Sequence, residues 1–153
     1  MRILICAVGF VFLFGCAAKE NGENMSIQQA IINTQKARLA IRDNSTLLIS
    51  ATYLNNIKKY SENELDMIAI SFFYSKKGDI EQLGEPKITI GQKAVIPTQL
   101  SEDDEIVKYL PFRAAWNKYF LASAPKSNED GFVSLSVEIY PFERVLLRLP
   151  KAL

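Results

Sequence analysis

Histidine is absent from the 153 residues, and the only cysteines are Cys6 and Cys16. That removes Ser-His and Cys-His nucleophile pairs, the commonest zinc ligand sets and the usual acid–base group near neutral pH. Any chemistry must come from carboxylates, lysine, tyrosine or serine. Glu102, Asp103, Asp104 and Glu105 form the densest acidic run and are weak candidates for calcium, which takes several carboxylate oxygens. They lack the spaced ligands and the glycine of an EF-hand loop. Directly after Ser101 they read better as the solvated start of a short helix, whose positive end favours acids. Asn128-Glu129-Asp130-Gly131 offers a second carboxylate pair in residues that suit a hairpin turn. Glu64, Asp66, Glu81, Glu85, Glu138 and Glu143 are further potential acids that no spacing brings together. No phosphate loop, dinucleotide fingerprint or nucleophile elbow occurs. The sequence therefore implies no metal and no cofactor.

Aromatic residues are the other candidates. Trp116, Tyr119 and Phe120, with Phe112, Tyr140 and Phe142, have the chemistry of a glycan- or peptide-binding face, although aromatics alternating along strands more often fill a core. Tyr119 is out of phase with Trp116 and Phe120. It is therefore the residue expected to face a partner, with Trp116 and Phe142 as further partner-binding candidates.

Two short stretches resemble known signatures. Ser123-Ala124-Pro125-Lys126 is similar to the S-x-x-K pattern of penicillin-binding enzymes, but it ends a strand pattern instead of opening a helix, and no K-T-G accompanies it. The second stretch is the N-terminal MRILICAVGFVFLFGC. One cation, Arg2, precedes an uncharged apolar run over residues 3–14, as long as a signal-peptide h-region and shorter than the roughly 20 residues of a membrane-spanning helix. Leu13-Phe14-Gly15-Cys16 then resembles the lipobox of bacterial lipoproteins, with Phe14 where that family usually has a small or aliphatic residue. The resemblance implies a signal peptide over 1–15, cleavage before Cys16 and attachment to the membrane through lipid on the Cys16 thiol. Ala17, rather than Asp, follows the cysteine, which by the same resemblance points to the periplasmic face of the outer membrane. Cys6 then leaves with the signal and Cys16 carries lipid, so an exported domain has no cysteine left for a disulfide, a metal or a nucleophile.

What remains is one domain's worth of chain. The formal charge of +1 includes Arg2, so the rest is formally neutral, and no basic face for nucleic acid is implied. Residues 16–25, polar after the lipidated cysteine, are expected to be a flexible tether, and residues 26–153 a single domain.

The elements follow from periodicity. Ser26 with Gln29 forms a capping-box pattern, and helical spacing predicts a helix over 27–39, with a strand around 38–41 as the alternative. A period of two over 46–54 places Leu47, Ile49, Ala51 and Tyr53 on one face. The polar stretch 58–66 reads as a loop, and 67–74, the most apolar stretch after the signal, as a central strand. Residues 76–79 are a turn. Shorter strands follow at 87–90 and 94–100, the latter marked by Pro97 as an edge or bulge. Residues 101–110 are expected to cross between sheets as a helical turn. Strands at 116–124, 132–140 and 144–149 complete the pattern, the last two as a hairpin with Val133, Leu135, Val137, Ile139, Val145, Leu147 and Leu149 inward. Short alternating strands without long crossovers predict a mainly β fold, an antiparallel immunoglobulin-like β-sandwich with a short N-terminal helix. The function expected is a lipid-anchored envelope binding or assembly module without catalysis, its partner an envelope protein or a glycan. The rivals are a carboxylate-based β-sandwich hydrolase or glycan-binding enzyme, and a lipid-binding envelope protein.

Overall fold

The computed structural model describes residues 17–40, 45–75 and 83–151. The stretch expected to be a signal peptide with a lipobox, Cys16 included, and the expected turn at 76–79 lie outside the described residues. The described chain is mainly β, with two antiparallel sheets and one helix at the N-terminal end. Helix α1 (Ala17–Ile32) leads into β1 (Gln35–Ala40), β2 (Thr46–Tyr53), β3 (Leu65–Tyr74), β4 (Lys87–Ile90), β5 (Lys93–Val95), β6 (Thr98–Leu100), β7 (Lys118–Pro125), β8 (Phe132–Glu138) and β9 (Val145–Pro150). One sheet has the order β1-β2-β3-β7-β6 and the other β5-β4-β8-β9, and every pairing is antiparallel.

Alternation decides what lies between the sheets. Leu47, Ile49 and Ala51 of β2, Ile68, Ile70 and Phe72 of β3, and Phe120, Ala122 and Ala124 of β7 point inward from one side. Ile88 and Ile90 of β4, Val133, Leu135 and Val137 of β8, and Leu147 and Leu149 of β9 meet them from the other. Burying each larger side chain contributes roughly 1.5–3 kcal/mol relative to exposure, the main force available to a domain without disulfides. Phe72 and Phe120 pack edge to face, with centroids 5.5 Å apart.

A second cluster covers half of the outer face of the five-stranded sheet: Ala30 of α1, Leu54 and Ile57 after β2, Ala69 of β3, Val107, Tyr109 and Leu110 of the 3-10 helix Glu105–Tyr109, and Tyr119 of β7. Strand β3 is thus buried on both faces, which explains why residues 67–74 read as a nearly continuous apolar run.

Three sequence expectations change. The helix spans Ala17–Ile32 instead of 27–39, so the stretch expected to be a flexible tether is helical from Ala17. It stops because Thr34 turns the chain: its hydroxyl donates to the Ala30 carbonyl at 2.8 Å and shares a 2.6 Å hydrogen bond with Thr52 of β2. Beyond it, Ala37 and Leu39 pack on the inter-sheet core only with a period of two, so strand pairing overrides helical spacing. Residues 94–100 are two strands in different sheets, and it is the step at Ile96-Pro97, not 101–110, that carries the chain across. Residues 101–117 connect β6 to β7, neighbours in one sheet.

Candidate functional site

The uncovered half of the five-stranded sheet's outer face gathers the exposed aromatic residues of the β6–β7 connection. Cross-strand register aligns Lys36, Ser50, Ser71 and Tyr119 in one row across β1, β2, β3 and β7, and Arg38, Leu48 and Phe73 in the next. Alternation points these side chains away from the inter-sheet core. Tyr119, only 2% exposed, is not partner-facing as the sequence suggested. Its phase is right, but α1 and the 3-10 helix cover it. Its hydroxyl accepts from Ala114 N at 2.9 Å and donates to Ala114 O at 3.1 Å, holding the 111–117 loop over the sheet.

That loop carries the site. Phe112 has φ of 56°, the left-handed region that costs a bulky residue about 1–2 kcal/mol, and is nevertheless 64% exposed. Asn117 Nδ2 donates to Phe112 O at 2.6 Å, and the Lys36 ammonium lies 4.9 Å from the Phe112 ring centroid, a cation–π contact. Trp116 is 41% exposed, and Arg113, which follows Phe112 in sequence, is exposed as well. Between α1 and this loop runs an open groove of about 510 Å³, lined by Ile27, Ile31, Leu110, Pro111, Phe112 and Arg113 among others. Of the three aromatic residues singled out in the sequence, only Trp116 is thus at the surface. Phe142 is buried at the rim of the inter-sheet core, edge to face with Tyr74 at 6.0 Å. Phe112, weighed only as an accessory aromatic, is the more exposed; its left-handed backbone left no mark in the sequence.

The acidic run does not converge. Asp104 caps the 3-10 helix, its Oδ1 accepting from Ile106 N at 2.9 Å. Glu105 pairs with Lys59 and Lys108, which hold its carboxyl below the usual carboxylate range, the Lys59 hydrogen bond first. Asp103 is also held low, by hydrogen bonds from Ser101 and its own backbone, and Glu102 lines the groove. Lys108 also pairs with Glu23, tying α1 to the 3-10 helix, and its ammonium is pushed up chiefly by that bond. Among the described residues no group of three or more acidic, histidine or cysteine side chains is placed to hold a metal ion.

The other carboxylates serve the fold or stand in solvent. Asp66, expected in a loop, is fully buried in β3 and closes one end of the sandwich: Tyr53 OH donates to Oδ1 at 2.6 Å and Ser127 N to Oδ2 at 2.7 Å. Burial, then the bond to Asp66, pushes the Tyr53 hydroxyl well above its ordinary range. Glu129 accepts from Ser134 N and Oγ, as a turn residue does. Glu138 pairs with Lys87 and Arg144. Ser123 and Lys126 are both exposed, Ser123 on β7. A different serine, Ser127, has Lys151 Nζ 3.3 Å from its Oγ. That ammonium also donates to the carbonyls of Ser127 and Glu129, at 3.0 and 2.8 Å, and so latches the chain just after β9 to the turn before β8.

No family model, curated protein or solved structure matches the chain.

Proposed function

We propose that this chain is a lipid-anchored module of a bacterial cell envelope, held through Cys16 at the periplasmic face of the outer membrane, that binds another envelope component and performs no catalysis itself. The observation that carries the reading is Phe112. A bulky apolar residue in left-handed backbone, mostly exposed, is maintained by the hydrogen bond that Asn117 donates to its carbonyl and by those between Tyr119 and Ala114 in the same loop, rather than allowed to relax. Strain of that kind is kept where the surface it presents has a use. Trp116, in the same loop, suits an interface anchor, since tryptophan is over-represented among the residues that carry binding energy.

The fold belongs to the same reading: an immunoglobulin-like sandwich with one strand added at an edge. What supports it is the strand order, in which β2-β3-β7-β6 corresponds to A-B-E-D and β5-β4-β8-β9 to C′-C-F-G, with β1 outside A. Such frameworks are rigid supports for loops that bind.

Two measurements test the proposal. Cys16→Ala is expected to abolish fatty-acid labelling and to accumulate the precursor; mature, membrane-bound protein without label overturns the anchor. Crosslinking in native envelopes is expected to give a defined adduct that disappears with Phe112→Asp and Trp116→Ala together. An adduct unchanged by that pair removes the loop from the function.

A further inference from the structure

Positive charge predominates around the loop that carries the proposed binding function. Lys36 and Arg38 alternate outward along β1, and Arg113 stands beside Phe112 on the loop; none of the three has an ion pair among the described residues. The nearby lysine that has anionic partners, Lys108, is already bound to Glu23 and Glu105. One anion, Glu102, lines the groove. In a chain that is formally neutral once Arg2 is removed, three cations without an ion pair among the described residues, around two exposed aromatics, are a local excess that a partner of opposite sign would neutralise.

We infer that the patch of Lys36, Arg38, Arg113, Phe112 and Trp116 docks an acidic protein segment carrying apolar or aromatic side chains, presented away from the bilayer to which this chain is attached. The apolar part lies on Phe112 and Trp116 and in the groove beside Ile27 and Ile31; the carboxylates meet the arginines, whose planar guanidinium takes a carboxylate in two parallel hydrogen bonds. A protein segment is favoured over the anionic lipid of the chain's own membrane by the placement of α1. Its 16 residues extend about 24 Å at 1.5 Å per residue. Lipid on Cys16 would precede its first residue, whereas Ile31, which shares the groove with Phe112 and Arg113, is at its last turn. The patch is therefore about 20 Å along α1 from the proposed anchor, and headgroups meet it only where α1 lies along the bilayer, an arrangement that the lipid arm of the test detects.

The inference rests on the binding-module reading, and the test separates the two. Trp116 is the only tryptophan in the chain, so its emission reports the patch directly. The full-length lipidated protein in detergent is titrated with synthetic 12-residue peptides of net charge −6 to +6, all carrying the same two leucines and one phenylalanine. Affinity is expected to rise steadily with negative charge, to fall at least tenfold in 0.5 M salt, and to fall at least tenfold in Arg38→Glu/Arg113→Glu, checked for native circular dichroism. A Trp116 response equal for acidic and basic peptides, or no response to any peptide, overturns the acidic partner and leaves the binding module standing; the module itself falls with the crosslinking experiment above. In nanodiscs of brominated phosphatidylglycerol the Trp116 emission is expected to be unquenched, and quenching there overturns the inference in favour of a lipid surface.

Discussion

Tyr53→Phe removes a single hydroxyl and tests whether the buried Asp66 carboxylate closes the sandwich as its geometry implies. Asp66 is fully buried, with one oxygen receiving Tyr53 OH at 2.6 Å and the other Ser127 N at 2.7 Å. Without the hydroxyl, a buried oxygen loses its donor, and a hydrogen bond to a charged group contributes about 1.5–3 kcal/mol. With a urea m-value near 2 kcal/mol/M, typical of a small domain, the unfolding midpoint should fall by about 1 M. The assay is urea unfolding followed by far-ultraviolet circular dichroism and by Trp116 emission, whose coincidence checks two-state behaviour. Alkaline pH supplies a second readout. Folded Tyr53 keeps its proton above the pH near 10 at which the unfolded tyrosine ionises, so above that pH the unfolded state binds fewer protons and stability falls as pH rises. The share due to one such group is about 1.4 kcal/mol per pH unit, and it is absent from Tyr53→Phe, so the gap between the two proteins should narrow above pH 10. A midpoint shift below about 0.3 M at neutral pH, or a gap that stays constant to pH 11, would refute the latch.

Leu135→Ala, at a fully buried position of β8, should cost about 2–5 kcal/mol, while Leu146→Ala on the exposed face of β9 should stay within about 0.5 kcal/mol; equal effects in urea titration would mean that the second sheet is assigned the wrong face. Phe112→Gly should be more stable than Phe112→Ala by about 1 kcal/mol in thermal melts, because both lose the ring and only glycine accepts a φ of 56° without strain. Alanine equal to or better than glycine would remove the strain from the argument. The Glu105 carboxyl, followed by NMR, should titrate below the ordinary glutamate value near 4.3, and Lys59→Met should move it back up. Its contribution to stability is present above that ordinary value and is lost as pH falls through the lowered one.

The strands that build the core were legible because their physics is local. On β2 and β8 every second residue is apolar, and a one-residue error of register would turn Leu47, Ile49, Val133 and Leu135 to the solvent, so the pattern alone orients them. The helix was misplaced for the opposite reason. Residues 27–39 satisfy a helical spacing as well as they satisfy helix followed by strand, and the choice falls to Thr34, whose hydroxyl bridges Ala30 and Thr52 only when β2 is in place. Tyr119 shows the limit of reading phase. Its alternation correctly removed it from the inter-sheet core, but nothing local announces that a helix formed 90 residues earlier lies over it.

From the sequence alone come the lack of histidine, the h-region-like run ending in a lipobox-like Cys16, the two-residue period of most strands and hence a mainly antiparallel β chain. These are properties of composition and of neighbours along the chain, and they survive any arrangement of the sheets. Which sheet receives β5 and β6, the coverage of Tyr119, the burial of Asp66 between Tyr53 and Ser127, and the exposure of Phe112 in left-handed backbone beside Lys36 belong to the tertiary structure. Each depends on groups distant in sequence meeting in space. A side chain's burial, charge partners and strain are set by what the completed fold places against it.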